Sequence, residues 1–361
     1  MNQIRKTYII AEAGVNHNGS IEMAKSLIDV ASECGVDAIK FQTFRAEKLV
    51  SKDAVKADYQ KQTTDADESQ FDMIKKLELD DKAHHDLIQY CGAQDIQFLS
   101  TPFDLDSLRL LTSCVELPYI KISSGEITNA PFLLEIANTG RPVILSTGMS
   151  TLGEIEMALG VLAFGYLGRG GRPNIESFGE AYSSIEGHQL LQHKVSLLHC
   201  TTEYPAPFTE VNLKAMDTLW SAFGLSVGFS DHTSGIAVPI AAVARGAVII
   251  EKHFTLDKNL PGPDHKASLE PRELRTMVES IRQIEEALGY SYKVPAPSEI
   301  KNKTVARKSL VANQAIKKGE KFTEKNLITK RPGTGLSPLY YWEWLGKFAE
   351  RDYEQDERIG I

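Results

Sequence analysis

Two histidines, His232 in VGFSDHTSG and His253 in IEKHFTLD, each follow directly on an apolar, β-rich run. Imidazoles at the ends of neighbouring strands can share one divalent cation, with water and substrate oxygens completing its coordination. Either ring could equally be a core histidine satisfied by a carbonyl. His17 in VNHNG and His199 in LLHCTTEYP are placed similarly, so pattern alone does not select the pair. Lys40 in AIKFQTF and Lys121 in YIKISSGE lie inside otherwise apolar strands, where an unpaired ammonium is costly to bury and an anion is the natural partner. Thr101, Ser124, Ser146 and Ser230 add hydroxyl donors around the same oxygens, as a phosphate site requires. Glu12, Glu126 and Glu251 also fall near strand ends. A carboxylate there can activate water, or can simply pair with a lysine. Glu12 is the choice for proton transfer because the run before it, YIIA, should be buried. Asp264 in NLPGPDHKASLEP and Arg331 in KRPGTG sit in loops stiffened by Pro and Gly, as groups gripping a ligand often do.

The elements that must position these groups alternate along the chain. Eight short β-rich runs, beginning with TYIIAEAG and ending with AVIIEKHFT, are separated by amphipathic stretches such as SIEMAKSLIDVASECG, whose apolar residues recur at three- and four-residue spacing. Eight strand-plus-helix units by residue 289 predict a (β/α)8 TIM barrel, a fold typically of ~250 residues. A doubly wound sheet alternates in the same way, but no GxGxxG turn follows the first strand. In a barrel the loops at the C-terminal ends of the strands converge on one site, so the polar endings of these runs read as its walls. Residues 45–79 form an insertion long enough to be a lid, and 168–193 read as a surface excursion. After the barrel (1–289), the prolines of 290–304 read as a linker to a small module over 305–361.

Composition narrows the partners. A net charge of -8 disfavours nucleic acid, and no run approaches the roughly 20 apolar residues of a membrane span. Four scattered cysteines without CxxC spacing, and an N-terminus too short in apolar residues for a signal peptide, point to a reduced, cytoplasmic protein.

With its motifs assembled, the chain resembles the sialic acid synthase family. The resemblance rests on AEAGVNHNG, IKFQTF, LSTPFD, KISSGE, LSTGM, LHCTTEYPAPF, VGFSDHT, IEKHFTLD and PGPDHKASLEP, with KRPGTG in the tail, all in order. It implies a metal-dependent condensation of phosphoenolpyruvate with an N-acylated mannosamine-type sugar, and an antifreeze-like (SAF) C-terminal domain exchanged between the subunits of a domain-swapped homodimer. His232 and His253 then match ligands of a divalent metal, Mn²⁺ first, with Mg²⁺ or Co²⁺ as substitutes. Lys40, Thr101, Lys121, Ser124, Ser146 and Ser230 match positions around phosphoenolpyruvate, and Glu12 matches the catalytic acid/base. Gln42, Tyr204, Asp264 and Arg331 match the sugar side, Arg331 serving the partner's site. The acceptor implied is N-acetylmannosamine or its 2,4-diacetamido-2,4,6-trideoxy analogue. The alternatives are a barrel synthase acting on a phosphorylated sugar and a non-catalytic sugar-binding protein.

Overall fold

Each of the eight β-rich runs folds as a strand: β1 (Tyr8–Gly14), β2 (Ala38–Thr43), β3 (Gln97–Pro102), β4 (Ile120–Ile122), β5 (Val143–Ser146), β6 (Val195–His199), β7 (Ser226–Asp231) and β8 (Ile249–His253). The computed structural model describes residues 6–65, 67–114, 116–168 and 170–360. Residues 1–5, Ala66 of the lid insertion, Val115, Arg169 of the 168–193 stretch and Ile361 lie outside the described residues.

The strands are parallel and hydrogen-bonded in the order β3-β2-β1-β8-β7-β6-β5-β4. Because β1 pairs with both β2 and β8, the order wraps round on itself, which a doubly wound sheet does not do. Only β3 and β4 meet without a ladder, so the (β/α)8 barrel is nearly closed.

Helices cover the outside. The first, Ile21–Glu33, starts where the Ser20 hydroxyl accepts from the Met23 N–H (3.3 Å), and it buries Ala24, Leu27, Ile28 and Ala31 against the sheet. That stripe follows the i, i+3, i+4, i+7 spacing that one helical face demands. Among the described residues no helix is long and apolar enough to cross a membrane. The four cysteines carry no disulfide.

The barrel interior has an apolar floor made of Ile10, Ala38, Leu99, Ile144, Leu198 and Ile249, with Tyr8 and Tyr119 packed against it. On β7 the floor position is Gly228, where a Cβ would collide with the Ile249 carbonyl and the Leu198 side chain. Burying each such Ile or Leu contributes about 1.5–3 kcal/mol. Alternate residues of β7 and β8 face the helical layer instead. There Asp231 and Lys252 form a fully buried ion pair at 2.5 Å, and Asp231 also accepts from the Thr233 N–H at 3.0 Å.

The stretch 168–193, read as a surface excursion, contains two packed helices, Ile175–Ser183 and Ile185–Lys194. Phe178, Ala181 and Leu191 are buried, with Phe178 edge-on to Phe164 at 5.5 Å. Ser184 both ends the first helix and caps the second through the Gly187 N–H (3.0 Å), and this break disguised the helical period.

A second compact unit comprises Tyr290–Ile361. The stretch read as a linker carries part of a helix, Pro297–Ala306, whose first position is the proline and whose third, Glu299, accepts from the Ala296 N–H (2.8 Å). Strands β9 (Ser309–Ala312) and β10 (Leu327–Lys330) pair antiparallel over a core of Leu310, Ile316, Phe322, Leu327, Tyr353 and Ile359. In the loop after β10 the exposed Arg331 precedes Pro332, whose carbonyl accepts from the Ser309 hydroxyl (2.6 Å).

Candidate active site

Side chains on a strand alternate, so two residues beyond each floor position the chain again points inward. Those positions are Glu12, Lys40, Thr101, Lys121, Ser146, Cys200, Ser230 and Glu251, one from each strand or its end. The apolar floor therefore gives way in one step to a layer containing two lysines and two glutamates. All four are nearly solvent-free. Charges so buried are tolerable only when paired, and they are.

Lys40 Nζ contacts Glu12 Oε2, lies 3.6 Å from Glu251 Oε2, and donates to Thr101 Oγ1 at 2.9 Å. Lys121 Nζ lies 3.4 Å from Glu251 Oε1 and donates to Ser146 Oγ at 2.8 Å. Ser230 donates to Glu251 Oε1 at 2.8 Å. Burial opposes every one of these charges, but the outcomes differ. For Glu251 the pull of Lys121 and Lys40 overrides burial and holds its carboxyl well below the usual range. For Glu12 burial wins over Lys40, and the carboxyl rises to about 7. Lys40 is held charged against burial by Glu12 and Glu251, whereas burial lowers Lys121. Two carboxylates thus sit side by side, one held as an anion and one poised to exchange a proton near neutrality.

Ser124, in a short turn after β4, accepts from the Gly148 N–H at 3.0 Å and lies 3.3 Å from Cys200 Sγ. A Cβ on Gly148 would overlap Thr202 Oγ1 and Ser124 Oγ. The hydroxyls of Ser124 and Thr202 and the backbone of Gly148 therefore form a close cradle beside Lys121 and Ser146, suited to the oxygens of a small anion.

One further step of two residues brings His232 from β7 and His253 from β8 to the mouth, ring centroids 5.7 Å apart. His232 Nδ1 bonds the Thr201 carbonyl at 2.6 Å. That bond makes Nδ1 the protonated nitrogen and leaves Nε2 with its lone pair, 3.5 Å from Ser230 Oγ. Nδ1 of His253 is buried with no hydrogen-bond partner among the described residues, 3.9 Å from Asp264 Oδ2. Burial lowers both histidines, His253 the further because His232 and Lys40 add to the effect. Two neutral imidazoles facing one space are a donor pair for a divalent cation. Among the described residues no His, Cys, Asp or Glu completes a three-donor cluster, so remaining positions would fall to water or substrate. The other histidines are engaged elsewhere. His199 Nε2 bonds the Val211 carbonyl at 2.7 Å, and His17 Nδ1 accepts from the Gly19 N–H at 3.0 Å. Glu126 stays outside the layer, accepting from Asn129 at 2.7 Å.

Above the histidines a cavity of about 280 Å³ opens between the strand ends and the insertion after β2. It is lined by Gln42, Tyr204, His253 and Asp264 and, from the insertion, by Leu49, Val50, Gln60, Gln70, Met73, Ile74 and Leu77, with Val15, Phe44, Phe103 and Pro263. Gln42 donates to Glu12 Oε1 at 3.4 Å, the Tyr204 ring packs tilted against His232 with centroids 4.2 Å apart, and burial raises the Asp264 carboxyl to about 6. The insertion is knotted by Lys56, which donates to Thr64 Oγ1 (3.1 Å), the Asp65 carbonyl (2.8 Å) and Glu68 Oε2 (3.1 Å). Thr63 ties it to the Asp264 loop by donating to the Pro263 carbonyl at 3.4 Å.

The family model described as NeuB family matches residues 27–293, and the SAF domain model matches 307–359. The chain belongs to the NeuB family. This NeuB-family chain is 53% identical over 356 residues to the N,N'-diacetyllegionaminic acid synthase of Campylobacter jejuni, covering 99% of both chains. It is 44% identical over 331 residues to the enzyme of that name from Legionella pneumophila, covering 92% of this chain and 87% of the other. The crystal structure of N-acetylneuraminic acid (sialic acid) synthetase from Leptospira borgpetersenii, in complex with citrate, superposes with a TM-score of 0.66 at 32% identity, covering 83% of this chain and 90% of that one.

Within the NeuB barrel the structure assembles twelve of the residues singled out from the sequence: Glu12, Lys40, Gln42, Thr101, Lys121, Ser124, Ser146, Tyr204, Ser230, His232, His253 and Asp264. Arg331 belongs to the second unit. The sequence offers Glu251 as one of three strand-end carboxylates, able to activate water or to pair with a lysine, without preferring it to Glu12; the structure pairs it with both lysines, and it adds Cys200 and Gly148, which the sequence did not mark. The signal that finds Glu251 is its place two residues beyond Ile249 of the floor.

Proposed function

We propose that this chain is a nonulosonic acid synthase that condenses phosphoenolpyruvate with an N-acylated mannosamine-type sugar and water, releasing inorganic phosphate. The observation that carries this reading is the layer in which Lys40 and Lys121 flank Glu12 and Glu251 directly beneath two neutral imidazoles. On this reading Lys40 and Lys121, with Thr101, Ser124, Ser146 and Ser230, hold the phosphate and carboxylate of the enol phosphate, preorganised where charge is shed. Gln42, Tyr204 and Asp264 orient the sugar so that its aldehyde carbon meets C3 of the enol phosphate and the new C–C bond forms. The aldehyde oxygen gains a proton from solvent and becomes a hydroxyl. Glu12 takes one proton of the water that adds at C2 and returns it to solvent; the C2 hydroxyl so formed loses its remaining proton to the departing phosphate as C2=O forms and the bridging C2–O bond breaks. His232 and His253 would hold the divalent cation, Mn²⁺ first, with Mg²⁺ or Co²⁺ as substitutes; when bound it supplies Lewis-acid polarisation of a carbonyl oxygen.

The acceptor is N-acetylmannosamine, giving N-acetylneuraminate, or its 2,4-diacetamido-2,4,6-trideoxy analogue, giving legionaminate. The names of the relatives from Campylobacter and Legionella favour the second. Among the described residues no lysine or arginine lines the cavity above the histidines, so the barrel itself offers a phosphorylated acceptor no cationic partner there. A silent binding protein has no need of Glu12 placed against Lys40 beneath a histidine pair. The enzyme is on this reading cytoplasmic, with a barrel over 1–289, a linker over 290–304 and a SAF domain over 305–361. It forms a domain-swapped homodimer in which Arg331 serves the other subunit's site, a reading supported by the SAF match and by the exposure of Arg331.

Incubation with phosphoenolpyruvate and, in turn, N-acetylmannosamine, its 6-phosphate and the diacetamido sugar tests the reading through phosphate release and product mass. Turnover is expected with a free sugar. Turnover confined to the 6-phosphate, or absent with every acceptor, would overturn it.

A further inference from the structure

Strands β7 and β8 are bridged on both faces of the sheet immediately before the two histidines. Their register sets Ser230 opposite Glu251 and Asp231 opposite Lys252. On the inward face Ser230 Oγ donates to Glu251 Oε1 at 2.8 Å. On the outward face Lys252 Nζ meets Asp231 Oδ2 at 2.5 Å, and the same ammonium donates to the Thr233 carbonyl. Asp231 in turn accepts from Thr233 twice, from its N–H at 3.0 Å and from its hydroxyl at 3.1 Å. Both chain neighbours of His232 are thus gripped by one side chain, and that side chain belongs to the residue that precedes His253.

Stability alone does not account for an ion pair at this position. Two residues earlier the outward side chains of the same strands are Phe229 and Ile250, both in the apolar core. A well-packed apolar pair is often as stable as a buried ion pair, because desolvation offsets most of the attraction. What an apolar pair lacks is direction. The ladder between β7 and β8 ends at Asp231 and Lys252, so His232 and His253 each lie one residue past it. Their own carbonyls are tied to different loops, His232 accepting from the Ala206 N–H and His253 from the Leu269 N–H, both at 2.9 Å. The Lys252 ammonium, bonded at once to a carboxylate and a carbonyl of the other strand, fixes the turn that carries one ring against the strand that carries the other.

Building on the proposed cation site, we infer that Asp231 and Lys252 are positioning residues for it: their ion pair, with the Lys252 bond to the Thr233 carbonyl, holds the His232 turn against β8 so that both imidazoles serve one divalent ion. Both side chains face the helical layer rather than the mouth, so they act through the histidines and not on the ion or the substrate. Partners that orient metal-binding histidines typically contribute about 10- to 100-fold in metal affinity.

The test titrates metal-free protein by calorimetry with Mn²⁺ and, separately, with phosphoenolpyruvate, in wild type, Asp231→Asn/Lys252→Met, Thr233→Val and His232→Ala, with the melting temperature measured alongside. The double substitution removes both charges together, so that no lone buried charge is left, and keeps an amide oxygen to accept the Thr233 N–H. It should bind Mn²⁺ about tenfold or more weakly, while its Kd for phosphoenolpyruvate stays within about threefold of wild type. Thr233→Val keeps the ion pair and loses only the hydroxyl bond, so its Mn²⁺ affinity should fall about threefold, the worth of one neutral hydrogen bond. A folded double variant that binds Mn²⁺ as wild type does, or that weakens for both ligands alike, would overturn the assignment and leave the cation site standing. If the double variant does not fold, Thr233→Val decides, and an unchanged Mn²⁺ affinity there overturns it. His232→Ala binding Mn²⁺ as tightly as wild type would instead defeat the cation site, and the positioning role with it.

Discussion

Replacing Glu251 with glutamine removes one of two negative charges from a layer that also holds two buried ammonium groups. In the native layer Glu251 lies 3.6 Å from Lys40 and 3.4 Å from Lys121. At an effective dielectric near 20, each contact corresponds to about 4–5 kcal/mol of gross attraction. Desolvation consumes much of that, and breaking a buried pair by neutralising one partner typically costs about 3–5 kcal/mol. At about 2 °C per kcal/mol for a domain of this size, the expected fall in melting temperature is roughly 6–10 °C. Phosphoenolpyruvate should reverse the sign of the argument. On the proposed binding mode its anionic groups share the lysines with Glu251 in wild type and replace the missing charge in the variant. A ligand that binds only the folded state stabilises it by RT ln(1 + [L]/Kd). The rise in melting temperature on adding phosphoenolpyruvate should therefore be larger for Glu251→Gln than for wild type. Thermal unfolding of both proteins with and without the ligand checks this. A variant melting within 2 °C of wild type, roughly the effect of 1 kcal/mol, or gaining no more than wild type from the ligand, would refute the charge balance.

Other consequences can be checked independently. His232→Ala should keep its fold by circular dichroism, bind Mn²⁺ at least tenfold more weakly by calorimetry and lose turnover; wild-type turnover surviving exhaustive chelation would remove the metal role. Glu12 rises to about 7 because of burial, and in the proposed role its deprotonated form accepts water's proton. The rate should therefore climb as pH increases through about 7 and level off above it, and Glu12→Gln should bind phosphoenolpyruvate yet show neither turnover nor that limb. Gly148→Ala places a methyl group on the hydroxyls of Thr202 and Ser124, so the KM for phosphoenolpyruvate should increase about tenfold or more with little change in melting temperature. Mixing Glu12→Gln subunits with Arg331→Ala subunits should restore some activity if the arginine acts across the dimer; no rescue despite subunit exchange would exclude the swap.

The barrel was legible because strands covered on both faces are nearly continuous apolar runs, and eight of them are hard to arrange otherwise. The polar layer was legible one residue at a time. Lys40 and Lys121 stood out because each interrupts such a run, while Glu251 was one of three strand-end carboxylates with nothing to rank it and Cys200 did not stand out, since both fall at the end of a run where polar residues are commonplace. Their common level is a property of strands side by side, and only the step of two beyond Ile10, Ala38, Tyr119, Leu198 and Ile249 makes it visible. The histidine pair was ambiguous for a related reason. His199 ends β6 much as His253 ends β8, but His199 points toward the Val211 carbonyl and His253 into the mouth. The wall of Met73, Ile74 and Gln70 could not be read at all, because its face depends on how the insertion after β2 is knotted by Lys56 over a span no local period describes.

The central claim is that the strand-end layer joins phosphoenolpyruvate to a free N-acylated sugar with cleavage of the C2–O bond. Phosphoenolpyruvate labelled with ¹⁸O in the bridging position, incubated with the diacetamido acceptor and the divalent ion, tests it directly by mass spectrometry. The label should leave wholly in inorganic phosphate, while the condensed acid takes its C2 oxygen from water. Label retained in the acid, or phosphate released without a condensed product, would contradict the account.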